Sequence, residues 1–156
     1  MKLYVKEKPF SWMGKFTIQD IHGNDKYLAE GQPMKTGHLL HIYNMDKEEV
    51  AEIQNKFSGL NPKFLVRQNG VITNQVVKKR SGFKSEIAIE GEAWKIMGSL
   101  AEHEFSLVGG YGKALAVRKL ENEGEVIHEY EISNTADEAK TLATALILDC
   151  ILPENS

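Results

Sequence analysis

Lys78, Lys79 and Arg80 are consecutive, and Lys84 lies four positions beyond Arg80; together they form the sharpest candidate for chemistry in the chain. Side chains of this kind at this density suit an anionic headgroup, because near an anionic membrane each Lys or Arg adds about 1 kcal/mol of attraction. Lys78, Lys79, Arg80 and Lys84 are therefore the candidate ligand-binding residues, for a phosphoinositide or another anionic phospholipid. The plainer reading is a strand end whose charges are solvated, and the net charge of −3 favours it.

The other reactive residue types fall into no recognisable catalytic or metal pattern. The five histidines are His22, His38, His41, His103 and His128. His38 and His41 are three apart on an expected strand and face opposite sides. There is no CxxC and no HExxH, so no metal site and no cofactor is expected. Cys150 lies in an apolar helix, where a thiol behaves as a small hydrophobe. There is no GxSxG elbow, and the side chains of His103-Glu104 and His128-Glu129 should diverge along their strands. Gly109-Gly110-Tyr111-Gly112 lacks the Lys-Ser/Thr and the helix of a phosphate loop, and reads as a hairpin turn. Glu48-Glu49 and Glu90 with Glu92 read as solvated turn acids. Trp94 is expected in the core and Trp12 near a rim. Asp149 is costly near the end of an apolar helix unless it is paired or hydrogen-bonded. The expectation is a carboxylate at a barrel mouth, bonded to backbone N–H or a cation; the alternative makes it part of a site there.

These residues are carried by short alternating runs punctuated by turn dipeptides, the pattern of antiparallel strands. Strands are expected at Lys2 to Glu7, Lys15 to Ile21, Lys26 to Gly31, Gly37 to Tyr43, Glu49 to Lys56 and Lys63 to Gln68. Six more follow, at Val71 to Lys79, Ser85 to Ile89, Ala93 to Gly98, His103 to Val108, Lys113 to Lys119 and Glu125 to Ile132. Asn69-Gly70 is the strongest hairpin turn, since both residues accept positive φ; Glu90-Gly91 and Gly109-Gly110 are read as further hairpin turns. A repeated unit runs beneath: Phe10-Ser11 before Lys15-Phe16-Thr17-Ile18 matches Phe57-Ser58 before Lys63-Phe64-Leu65-Val66.

The pattern changes after Ile132. Thr135-Ala136-Asp137-Glu138 reads as a capping box with Thr135 as N-cap, and Pro153 ends the helix. From Leu142 the helix is apolar almost all round, which means burial on every side. At about half of the roughly 20 residues needed to span a bilayer, it is expected to fill a barrel. The expected fold is mainly β: one domain over residues 1–156, an antiparallel closed barrel of about twelve strands (about 2–132) around a central hydrophobic C-terminal helix (about 136–152).

The chain has 156 residues, 42% hydrophobic and 26% charged, enough for one ordinary core. A negative net charge offers no global attraction for nucleic acid. A single cysteine excludes an internal disulfide and fits a reducing compartment. No secretory signal pattern is visible in MKLYVKEKPF, so the expectation is a cytoplasmic protein, at most peripheral to a membrane, without a transmembrane segment.

About twelve strands in hairpins followed by a buried apolar helix resembles the tubby C-terminal-like superfamily. Within it the chain is similar to the LURP-one-related family, as a small bacterial member. The resemblance is carried by Phe10-Ser11 through Ile18, by Asp20 through Gly23 with Tyr27 and Gly31, by Phe57-Ser58 through Pro62-Lys63-Phe64, and by Ala145 through Ile151. It covers essentially the whole chain. It implies a twelve-stranded barrel around a central helix, and related families that include phosphoinositide-binding tubby domains and phospholipid scramblases. It supplies no enzymatic motif. The expected function is non-enzymatic binding or scaffolding, with an anionic membrane lipid or a protein as partner. A protein-interaction module without a lipid role is the alternative, and an enzyme of unrecognised type stands behind it.

Overall fold

The computed structural model of the protein describes residues 1–35, 37–58 and 61–155, with backbone only at 57, 58, 81, 154 and 155. Gly59 and Leu60, inside the second copy of the repeated motif, lie outside the described residues. The alternating runs form twelve strands: β1 Lys2–Lys6, β2 Lys15–Gln19, β3 Asp25–Met34, β4 Gly37–Asn44, β5 Glu49–Ser58 and β6 Asn61–Gln68. They continue as β7 Val71–Ser81, β8 Lys84–Glu90, β9 Lys95–Ser99, β10 Glu104–Gly109, β11 Gly112–Asn122 and β12 Glu125–Ile132. All pairings are antiparallel, in one sheet of order β8-β7-β6-β5-β4-β3-β2-β1-β12-β11-β10-β9. The sheet curls into a nearly closed barrel.

The sheet ends at β8 and β9. The Glu90-Gly91 turn therefore does not make a hairpin: β8 pairs with β7 and β9 with β10, and the connection between them crosses the seam. Gly91 holds φ 92° there, and a Cβ on it would stand 2.8 Å from the Thr73 carbonyl oxygen, so the chain leaves β8 pressed against β7. The ring is completed on the far side by β1 and β12, in register from Lys2↔Glu131 to Lys6↔Ile127.

After β12 comes α1, Glu138–Leu146, then a π-helical turn at Ile147–Ile151 and a last turn, α2, at Leu152–Asn155. Asp137, not Thr135, is the N-cap: its carboxylate accepts from the Lys140 N–H at 3.0 Å, while Ser133 and Thr135 bond each other in the preceding turn. Thr141 through Asp149 are all buried, as an apolar surface on every side requires. The inward sets of the strands, such as Leu3 and Val5, Leu40 and Ile42, Phe64 and Val66, Leu115 and Val117, form one core with Leu142, Leu146, Ile147 and Leu148. Each buried Leu or Ile contributes roughly 1.5–3 kcal/mol. Polar tethers fix the helix within this core. Asn74 Nδ2 of β7 donates to Thr144 Oγ1 at 2.9 Å, and the Tyr27 hydroxyl of β3 donates to Glu138.

The tryptophans exchange their expected places. Trp12, in the β1–β2 connection, belongs to the core, edge-on to Phe10 at 4.9 Å and stacked on His38 at 5.3 Å. Gly31 makes this possible, because a Cβ there would lie 1.7 Å from the Trp12 carbonyl oxygen. Trp94, in the crossover, is only half-buried against the core.

Candidate functional site

Asp149 is the centre of a polar cluster at the C-terminal end of the helix. Its side chain is fully buried. The π turn around it, closed by the Leu152 N–H bonding to the Ile147 carbonyl, interrupts the α-helix at this residue; such turns recur at functional sites. His103 Nδ1 lies 2.7 Å from Asp149 Oδ1, His128 Nδ1 lies 2.6 Å from Oδ2, and the Tyr130 hydroxyl donates to Oδ2 at 2.6 Å. The two imidazole rings are 4.7 Å apart. His128 Nε2 lies 3.2 Å from Glu7 Oε1, and Cys150 Sγ is 3.6 Å from Asp149 Oδ2. His103, His128, Asp149 and Cys150, with Lys6 and Lys8, line a cleft of about 320 Å³.

Three elements bring the cluster together. His128 and Tyr130 are two apart on β12 and share its inner face. His103 belongs to the turn before β10 rather than to the strand, with φ 59°, a left-handed backbone that a non-glycine residue rarely adopts. Its ring therefore does not follow the strand alternation that separates it from Glu104. Glu129, one residue from His128, points to the outer face, where Arg118 Nε donates to it at 2.7 Å.

Because an ionised carboxylate only accepts, both Nδ1 atoms donate to Asp149, and the protonated form of His128 donates from Nε2 to Glu7 as well. Burial works against charge on Asp149, yet hydrogen bonds from His128, Tyr130 and His103 outweigh it and hold the carboxyl below its ordinary pKa. Burial likewise opposes the charge on His128, and Asp149 and Glu7 together hold that imidazole above its ordinary pKa. Burial pushes the Tyr130 phenol far up, with Cys150 and Asp149 adding to it, so it stays a donor. The cluster is thus a buried carboxylate held by two imidazoles and a phenol donor, with an open side. It can hold a proton, a small polar ligand or a cation.

In a sheet of sequential antiparallel neighbours, alternate connections lie at the same end. The β1–β2, β3–β4, β7–β8 and β9–β10 connections therefore share the end to which the helix carries Asp149. Met13 and Phe83, on the first and third of these, and Met34, the last residue of β3, are exposed, Phe83 completely. Lys8, Lys35 and Lys84 stand beside them. Lys56 of β5 directly opposes Lys63 of β6, a like-charged cross-strand pair that costs stability in isolation.

The model for LURP-one-related proteins matches residues 1–149. The chain belongs to the LURP-one-related family. This LURP-one-related protein is 28% identical over 153 residues to the uncharacterized protein YxjI of Bacillus subtilis (strain 168), a match covering 97% of this chain and 94% of the relative. It also resembles the crystal structure of an Arabidopsis thaliana protein, with a TM-score of 0.62 at 16% identity, over 95% of this chain and 88% of the other. That likeness shows a shared fold. Among the described residues of this family member, no helix is long and apolar enough to cross a membrane.

In the LURP-one-related barrel the candidate residues Lys78, Lys79, Arg80 and Lys84 occupy the β7–β8 hairpin, paired in register from Lys78↔Ile87 to Ser81↔Lys84. The strand pleat divides them. Lys78 and Arg80 share the face of Asn74 and Val76, turned to the barrel mouth, whereas Lys79 is outside, 3.8 Å from Glu90. Lys84 is exposed at the hairpin tip beside Phe83. Sequence reasoning missed His103, His128 and Tyr130. The signal that could have found them was Asp149 itself, a carboxylate that needed buried partners.

Proposed function

We propose that this protein is a non-enzymatic binding domain that docks on anionic phospholipid surfaces through the helix-terminus end of its barrel. The observation that carries the reading is Phe83, fully exposed at the tip of the β7–β8 hairpin and flanked by Arg80 and Lys84. An aromatic ring with nothing to pack on, set between cations, matches a membrane interface, where the ring enters the headgroup layer and the cations meet phosphate. Met13, on the β1–β2 connection, and Met34, at the end of β3, add two further exposed apolar side chains at the same end. Lys35, Lys56, Lys63, Lys78, Arg80 and Lys84 have no carboxylate within ion-pair distance among the described residues, so they are available to an anionic surface. The partner is a membrane lipid, with phosphoinositide and phosphatidylserine as the headgroups to compare.

The test is co-sedimentation with phosphatidylcholine vesicles and with the same vesicles carrying phosphatidylserine or a phosphoinositide, at low and moderate salt. Binding is expected to the anionic vesicles alone and to weaken with salt. Phe83→Ser and the triple change of Lys78, Lys79 and Arg80 to Ala should each weaken it, the latter by up to about 3 kcal/mol at about 1 kcal/mol per cation. No binding, or equal binding to neutral vesicles, overturns the reading.

A further inference from the structure

We propose that His103, His128 and Asp149 form a binding site for a divalent transition-metal ion of the zinc type at the mouth of the barrel. The three donor atoms lie within 4.8 Å of one another and belong to three separate elements. Two imidazole nitrogens and one carboxylate oxygen select borderline ions such as zinc or cobalt over calcium or magnesium, which take oxygen ligands. Three protein ligands with one side open is the arrangement of zinc sites that leave a fourth position to water or a ligand. The open side here is the cleft of about 320 Å³, which also supplies the entry path.

The surroundings support ligation at each donor. Glu7 holds His128 Nε2 at 3.2 Å, the carboxylate–histidine contact that orients a ligating imidazole and raises its basicity. The Tyr130 hydroxyl at 2.6 Å fixes the Asp149 carboxylate. The φ of 59° at His103 closes the β9–β10 turn, where its N–H bonds the Leu100 carbonyl at 3.1 Å, and this turn sets Nδ1 onto Asp149. Metal–nitrogen bonds of about 2.0–2.1 Å in a tetrahedron place donors about 3.3 Å apart. The present contacts of 2.6 and 2.7 Å thus open by about 0.6 Å as the ion replaces the two Nδ1 protons. His41, Glu49 and Glu52 form a second group of metal-ligating types, on the outer face of β4 and β5. Glu49 and Glu52 line only a smaller hollow of about 160 Å³, and the group offers one imidazole against two carboxylates, so it serves as the control.

The experiment loads the full chain with Co²⁺ or Zn²⁺, dialyses it, and measures retained metal and the visible absorption of Co²⁺. One equivalent per chain with visible bands of a low-coordinate site is expected. His103→Gly accepts the left-handed backbone and should keep the native circular dichroism and a cooperative melt, with a lowered midpoint because buried Asp149 loses one donor, while losing the bands. Glu7→Gln should weaken affinity about 10–100-fold, and His41→Ala should change nothing. The proposal is overturned if no metal is retained, if His103→Gly retains it as the parent does, or if His41→Ala removes it.

Discussion

Glu129 lies on the outer wall of the barrel, where Arg118 Nε donates at 2.7 Å and the Tyr4 hydroxyl at 3.0 Å. Burial disfavours its charge, but the Arg118 and Tyr4 hydrogen bonds outweigh burial and hold its pKa below the ordinary value. A depressed carboxylate contributes stability that is present above its unfolded pKa, near 4.5, and lost as pH falls through the folded value. Glu129→Gln should therefore cost about 1–3 kcal/mol at neutral pH and flatten the acid limb of a melting-temperature profile; an unchanged acid limb counts against the pairing. His128, one residue away, belongs to a different environment altogether. Alternation on β12 made that divergence legible in the sequence. The convergence of His128 with His103 and Asp149 was not legible, because those residues come from a strand, a turn with φ 59° and a helix separated by 46 and 21 positions from Asp149. No local pattern encodes such a meeting.

At the scale of elements, all twelve strands were legible, since each needs an apolar side and a wet side. The helix was legible because it lacks a wet side. Its cap was not: Thr135 and Asp137 both offer a side-chain oxygen, and the choice depends on the Ser133–Thr135 contact that ends the preceding turn. The β8–β9 connection was misread because a turn dipeptide reports a reversal and not which strands pair. The helix makes a sharper prediction. Removing residues 134–156 should yield insoluble or molten protein, and Leu148→Ala, at a position fully buried in the core, should cost about 2–5 kcal/mol. Chemical denaturation of the point variant and a thermal melt of the truncated chain check both; a cooperative melt of the truncated chain would show that the strands stand without the helix.

For the whole molecule, the seam is the weak line. β8 and β9 each pair on one side only, and β8 carries no fully buried residue. Local opening follows low burial and unpaired edges. Amide exchange should be fastest in β8 and β9 and slowest in β11, β12 and α1; uniform protection around the ring would mean that the seam is closed in solution. A different consequence follows from the order in which the parts are made. The strand that closes the wall against β1 lies some 125 positions along the chain, and the segment that fills the interior comes later still. A ribosome delivering this protein releases the lining before the filling. Every inward apolar side chain of the early hairpins must wait, uncovered, for residues beyond Leu142. Productive folding thus waits until the helix has emerged, and a chain terminated before it presents an open apolar trough to whatever chaperone or protease meets it first.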